Sequence, residues 1–395
     1  FGFNPLVAQI AEKALDLYGL EGDSCWPYPN IATALKAQKH CSQANQSANS
    51  IVKEISGLHC LIVNSKITPS AKDFWQHTGL GASSREAAIA LNKESKPLPD
   101  LGKTARSIIQ NRLANIYGCD GDLIHLLPSG MAALEIALEA LLKLRSNQSA
   151  LQLGFPYVDV LKLPQVIFKG SDLILNSDPK QLASELDQKN PSALIVELPS
   201  NPMLECVNLP LVSKLAHERG IPVIADDTIG SAINIDPLPY TDLIFSSLTK
   251  SFAGSGDVMA GSLVISPNSR WKEIFKKLIP SACVANLSDP DAIKLEEVSQ
   301  DVNNRIDKLN KTCLKLKNHL EDHPYVESVL HPSNCSNYKS LMRPNAGFGC
   351  LLSLKLVGGL SKAKRFYNAL KVCKGPSLGT NFTLACPYVL LAHYQ

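Results

Sequence analysis

Between residues 172 and 247 short apolar runs alternate with helix-forming stretches, and this alternation limits the fold more than any other feature. Leu173-Ile174-Leu175, Ala193-Leu194-Ile195-Val196, residues 221–225 and Asp242-Leu243-Ile244-Phe245 read as buried strands. Helices are expected over residues 180–187 and 209–218, the second stopped by Gly220. Strands apolar along their whole length are covered on both faces. Their alternation with helices argues an α/β fold, a mostly parallel sheet flanked by helices. Gly261-Ser262-Leu263-Val264-Ile265 reads as a closing strand. Such sheets bind ligands beyond the carboxyl ends of their strands. Asn201, Asp226 and Lys250 all fall there.

A carboxylate ending one strand and a lysine following the next is the pairing that pyridoxal 5'-phosphate requires. The amine of Lys250 would form a Schiff base with the cofactor aldehyde, and Asp226 would pair with the pyridinium nitrogen. Ser247 and Thr249 place hydroxyls at the same strand exit, suited to a phosphate. Residues 122–128 read as a strand running into Ser129-Gly130-Met131, where a helix opens. Its first amides are unpaired and carry the positive end of the helix dipole, and Gly130 lets an anion approach the backbone. His125 reads as an ordinary strand histidine.

Val196-Glu197-Leu198-Pro199-Ser200-Asn201-Pro202, Asp226-Asp227-Thr228 and Ser247-Leu248-Thr249-Lys250, in that order, resemble the transsulfuration (Cys/Met metabolism) family of pyridoxal phosphate enzymes. Gly154-Phe155-Pro156-Tyr157-Val158-Asp159 and residues 374–384 resemble its fungal cystathionine γ-synthase branch. The resemblance runs from about Trp75 to the last residue.

This resemblance implies a fold type I transferase with a smaller C-terminal α/β domain. Its site would be shared across a dimer, within a homotetramer. Lys250 and Tyr157 would be the catalytic residues, with Tyr157 stacked on the cofactor ring. Asn201 would bond the ring oxygen, and Arg85 would grip a neighbouring subunit's cofactor phosphate. Ser129, Gly130, Met131, Asp226, Ser247 and Thr249 would complete cofactor binding, and Ser377 and Leu378 would face the substrate. The implied reaction is γ-replacement on an O-activated homoserine by cysteine, giving cystathionine. A lyase, a sulfhydrylase, a γ-substitution with a carbon nucleophile and a non-catalytic homologue remain open.

The chain also departs from the family's pattern. Ser83 stands where the family has a tyrosine, and Val158-Asp159 stands for Gly-Gly. Val298-Ser299-Gln300-Asp301 stands for Asn-Ser-Arg-Asp. The arginine-bearing stretch that follows Ser377-Leu378-Gly379 in the family is absent, so the small domain reads as incomplete.

At 395 residues the chain exceeds one ordinary core. Three parts are expected: a mainly helical segment over 1–75, a cofactor-binding large domain over 76–267, and a small domain over 268–395. Leu6, Ile10, Ala14 and Leu17 have helical spacing, residues 23–29 break that helix, and residues 61–64 suggest a short strand. The first segment reads as a packing or interaction element. Residues 74–85 read as a loop with a helix beginning near Ser84. One long helix is expected over 291–321, followed by strands at Val326–Leu330 and 348–356.

A net charge of +3 excludes nucleic acid and anionic membrane as main partners. No apolar run approaches the roughly 20 residues of a membrane helix. The cysteines number eleven, without Cys-x-x-Cys pairs or Cys/His metal spacing, which points to a reducing, cytoplasmic setting and no metal. The sequons at Asn147 and Asn286 read as chance. A chain opening on Phe1 is expected to be a processed or excised piece.

Overall fold

The computed structural model describes residues 2–45, 49–145, 149–167, 170–175 and 178–387; Phe1, Asn147 and residues 388–395 lie outside them. The chain opens with α1 (Pro5–Tyr18), β1 (Ser24–Tyr28), α2 (Ile31–Ala44), β2 (Ser50–Ile55), β3 (Leu58–Val63) and α3 (Thr68–Thr78). The segment expected to be mainly helical holds α1, α2 and most of α3, and beside them a three-stranded sheet. β1 and β2 pair antiparallel with a central β3. Pro27 reads as a helix breaker, but β1 is an edge strand, where a proline is tolerated. β2 escapes an apolar-run reading because Lys53 and Glu54 are exposed on its edge.

α3 also runs further than its sequence suggests, through Phe74 to Thr78. Ala71, Phe74, His77 and Thr78 share one buried face, and Gly79 stops the helix at φ 62°. Phe3, Trp26 and Trp75 pack as an aromatic cluster, with ring centroids 4.9 to 5.7 Å apart, and fix α3 to β1 and the entry to α1.

α4 (Ser84–Ala90) starts on a reciprocal cap between Ser83 and Glu86. Next come α5 (Pro99–Tyr117), β4 (Ile124–Leu127), α6 (Gly130–Leu144), β5 (Ala150–Leu153), α7 (Val158–Ile167), β6 (Ser171–Ile174) and α8 (Pro179–Lys189). β7 (Leu194–Glu197), α9 (Leu209–Glu218), β8 (Val223–Asp226), β9 (Leu243–Ser247) and β10 (Gly261–Ile265) complete the large sheet. Its order is β4-β10-β9-β8-β7-β5-β6. The pairings from β6 to β9 are parallel, while β10 runs antiparallel to β9 and β4.

Both faces are covered, as the fully apolar strands require. On one, Leu134, Leu138 and Leu141 of α6 pack with Phe245 and Leu263. On the other, Ile109 and Leu113 of α5 meet Ile244 and Val264. This leaves the carboxyl ends of β7, β8 and β9 as the place where polar side chains emerge.

The remaining elements are α10 (Lys272–Ala282), α11 (Asp289–Val298), α12 (Val302–Glu321), β11 (Val326–Leu330), α13 (Ser336–Leu341), β12 (Ser353–Leu356) and α14 (Gly359–Ala369). The single helix expected over 291–321 is two. Ser299 is fully buried at the break, where its hydroxyl accepts from Arg112 (2.5 Å). The strand expected over 348–356 begins only at Ser353. Gly349 takes φ 84°, and its N–H donates to the Asn310 side chain (2.9 Å), away from any strand ladder.

Candidate active site

Three strand ends build the site. β7 ends at Glu197 and β8 at Asp226, and the two stand opposite each other in the parallel register. β9 ends at Ser247, followed by the turn that carries Lys250. Asp226 is buried, and its Oδ1 accepts the Thr228 N–H (2.9 Å). Burial pushes its carboxyl up to about 6, against the opposing pull of the Thr228 hydrogen bonds and the Lys250 charge. Burial pushes the Lys250 amine below its ordinary value, although the Asp226 charge works the other way. A lysine so placed is easier to deprotonate, which a nucleophilic amine needs.

The Lys250 Nζ donates to the Ser377 hydroxyl (3.1 Å), so the predicted substrate residue and the predicted catalytic lysine meet. The turn carrying Ser377 and Leu378 lies tight on the lysine backbone. Gly379 has φ 74°, and a Cβ there would stand 2.4 Å from the Ser251 nitrogen.

The expected anion site lies where α6 begins. Ser129 caps the helix by accepting the Ala132 N–H (3.0 Å), and it donates to the Gly79 carbonyl (2.9 Å). Gly130 is needed for close packing: a Cβ there would come within 2.8 Å of the Ser247 Cβ and 2.9 Å of its Cα. Ser247 is fixed in turn by its N–H, which donates to the Thr228 hydroxyl (2.9 Å). Met131 packs against the core beneath.

Other expected residues make contacts within the chain. The Thr249 hydroxyl is engaged with the backbone of Ala260, accepting its N–H (3.1 Å). Arg85 donates to the Asp257 carbonyl (2.9 Å), the Asp257 carboxylate (3.1 Å) and Asp291 (3.2 Å), all in its own chain. Asn201 follows β7 and is half-buried.

Tyr157 is held at two points. Its backbone bonds the Glu197 carboxyl, and its phenol bonds Asp159. Sequence reasoning assigned no role to Glu197, Asp159 or Asp227. Burial, with the Asp226 charge second, pushes the Glu197 carboxyl well above the usual range. Asp227 is fully buried and accepts the Tyr117 hydroxyl (2.8 Å), and burial pushes its carboxyl up to about 7. An acid ending an apolar run was the available signal for Glu197, as it was for Asp226.

This donor set fits pyridoxal 5'-phosphate. A buried carboxylate, a lysine of lowered basicity and a helix N-terminus opened by a glycine converge on one strand edge. Residues 99–391 match the family described as Cys/Met metabolism PLP-dependent enzyme, and residues 6–83 match the fungal trans-sulfuration enzyme N-terminal domain. Cystathionine gamma-synthase of Neurospora crassa is 35% identical, over 81% of this chain and 53% of that protein. Cystathionine gamma-synthase of Saccharomyces cerevisiae is 35% identical, over 69% of this chain and 48% of that protein. The cystathionine gamma-synthase-like enzyme iboG1 of Amanita muscaria is 28% identical, over 98% of this chain and 84% of that protein. The chain thus spans about half the length of the two fungal synthases. Among solved structures, cystathionine gamma synthase of Xanthomonas oryzae pv. oryzae in complex with cystathionine superposes with a TM-score of 0.66 at 24% identity. That match covers 76% of this chain and 78% of that one. The shared fold is the fold type I architecture.

Proposed function

Because the chain belongs to the Cys/Met metabolism family of pyridoxal phosphate-dependent enzymes, we propose that it performs γ-replacement on an O-activated homoserine with cysteine as the nucleophile. The product is cystathionine: the O-acyl group leaves Cγ as a carboxylate, and the cysteine sulfur bonds there. The observation that carries the reading is Lys250, lowered in basicity by burial and hydrogen-bonded to Ser377, beside the buried Asp226.

Bound pyridoxal phosphate supplies an electron sink that acidifies the substrate's Cα–H. The residues of this chain do the rest. Above about pH 6 the Asp226 carboxylate is ionised and would pair with the cofactor's ring nitrogen. The first amides of α6 and the hydroxyl of Ser247 would hold the phosphate. Tyr157 and Asn201 would hold the cofactor ring. Lys250 Nζ takes up and returns protons at the substrate's Cα and Cβ, and Ser377 holds that amine toward the substrate.

The site is proposed to be shared in a homodimer or homotetramer. Leu98 and Leu101 at the start of α5 and Ile108 at its middle are exposed and supply apolar surface for such an interface. All eleven cysteines are free, which supports a reducing, cytoplasmic setting. The test is product analysis with O-acetyl- and O-succinylhomoserine, with and without cysteine. Cystathionine formed only with cysteine supports the replacement. A 2-oxo acid and ammonia at equal rates in both arms points to a lyase.

A further inference from the structure

The N-terminal segment does more than pack. It reaches the site through α3, whose last turn touches two of the site's own elements. His77 Nδ1 lies 2.9 Å from Asp159 Oδ1, with both side chains nearly sealed from solvent. Gln76 Nε2 donates to the same oxygen (3.3 Å). The Tyr157 phenol bonds the same carboxyl. One residue beyond the helix, the Gly79 carbonyl accepts the hydroxyl of Ser129, the cap of the phosphate-binding helix.

We propose that Asp159 is a positioning residue for Tyr157, anchored by His77 and Gln76 so that the N-terminal segment sets the tilt of the cofactor-facing ring. The inference rests on the assignment of Tyr157 to the pyridoxal phosphate site.

The carboxylate is well suited to this work. Burial alone would raise Asp159, but the hydrogen bonds from His77, Tyr157 and Gln76 outweigh it and hold the carboxyl below the ordinary value. A hydrogen bond from a phenol to a charged acceptor is stronger than one between neutral groups and fixes the donor's direction. The anchor is itself rigid. Trp75, next to Gln76, is locked between Phe3 and Trp26, and Phe74 packs edge-on against the buried Tyr28. Tyr157 is thereby pinned at its backbone by Glu197 of the large sheet and at its phenol by a side chain that the N-terminal segment holds. A tyrosine pinned at both ends loses little freedom on meeting a ligand, and that preorganisation appears as affinity.

The experiment is a double-mutant cycle read as the dissociation constant for pyridoxal 5'-phosphate, by titrating the apoprotein and following visible absorption. Asp159→Ala is expected to weaken binding about tenfold, the size of one lost hydrogen bond to a charged group. It should also move the absorption maximum of the bound cofactor. Tyr157→Phe weakens binding less, and the double variant is no worse than Asp159→Ala alone, because Asp159 acts through the phenol. His77→Leu reproduces the loss, and His77→Asn, which keeps a nitrogen donor near the place of Nδ1, recovers most of it. His77→Leu serves alone if Asp159→Ala does not fold.

Additive losses in the cycle overturn the proposal, as does unchanged affinity in Asp159→Ala and His77→Leu. Borohydride trapping of the cofactor on Lys250 in the wild-type protein is the control. Its failure there overturns the cofactor site itself, and this inference with it. Trapping with an additive cycle overturns the inference alone.

Discussion

Glu197 and Asp226 end adjacent parallel strands in direct register, so two carboxyl groups face one another at the edge of the sheet. They cannot both carry full charge there at low cost. The carboxyl of Glu197 sits well above the usual range and Asp226 is held near about 6, so the proton resides on Glu197 while Asp226 ionises. Glu197 Oε2 is sealed from solvent and has no hydrogen-bond partner among the described residues, which disfavours an ionised carboxylate there.

The pH dependence of apoprotein stability follows from this. Unfolded, Glu197 titrates near about 4, and folded it titrates far higher. The folded state therefore holds the extra proton between those values. This contribution is complete below about pH 4 and is lost as pH rises through the folded value. Glu197→Gln is neutral throughout and escapes the loss. Unfolding free energies from urea titrations should fall further between about pH 5 and about pH 8 for wild type than for Glu197→Gln, by more than about 1 kcal/mol. Parallel curves would contradict the assignment.

Gly130 is fixed by contact rather than by dihedral angle, since its Cβ would meet the Ser247 Cβ at 2.8 Å. Gly130→Ala must separate α6 from β9 and widen the anion cradle. We expect a loss of about 2 kcal/mol in unfolding free energy and a cofactor dissociation constant raised at least about tenfold. Calorimetry of the apoprotein and a cofactor titration measure the two effects. An alanine variant that binds like wild type would show that the α6 N-terminus does not hold the phosphate.

Arg85 has a measurable role within one chain. Asp291 is 3% exposed, and among the described residues its carboxylate keeps the Ser288 hydroxyl (2.6 Å) if the guanidinium is removed. Arg85→Ala should therefore destabilise the apoprotein by about 2 kcal/mol, the cost of leaving a buried carboxylate without its cation. The unfolding temperature, measured without cofactor, decides this. An unchanged apoprotein with weakened cofactor binding would confine Arg85 to the phosphate.

Much of this site was legible in the sequence because strand ends are marked by abrupt changes of polarity. Asp226, Ser247 and Lys250 each follow an apolar run, and the structure sets them along one sheet edge. Ser129-Gly130 was legible for a similar reason, as polar and small residues between a strand and a strong helix former. What the sequence hid depends on long-range partners. β2 carries Lys53 and Glu54 on an exposed edge and lacks an apolar signature, so only pairing with β3 reveals it. Ser299 breaks a helix through a bond to Arg112, which lies far away in the chain. The link from His77 to Asp159 joins two helices whose contact no local pattern announces. Thr249 was assigned to the phosphate on its strand-end position and its family motif, and the bond of its hydroxyl to the Ala260 backbone was not legible in either.

The central claim is that Lys250 is the residue to which pyridoxal phosphate binds, and trapping tests it most directly. Wild-type protein and Lys250→Ala would be incubated with the cofactor, reduced with borohydride, digested and analysed by mass spectrometry. The account predicts one pyridoxyl phosphate group on the peptide containing Lys250, and none anywhere in Lys250→Ala. Label on another lysine in wild type, or equal labelling of both proteins, would contradict it.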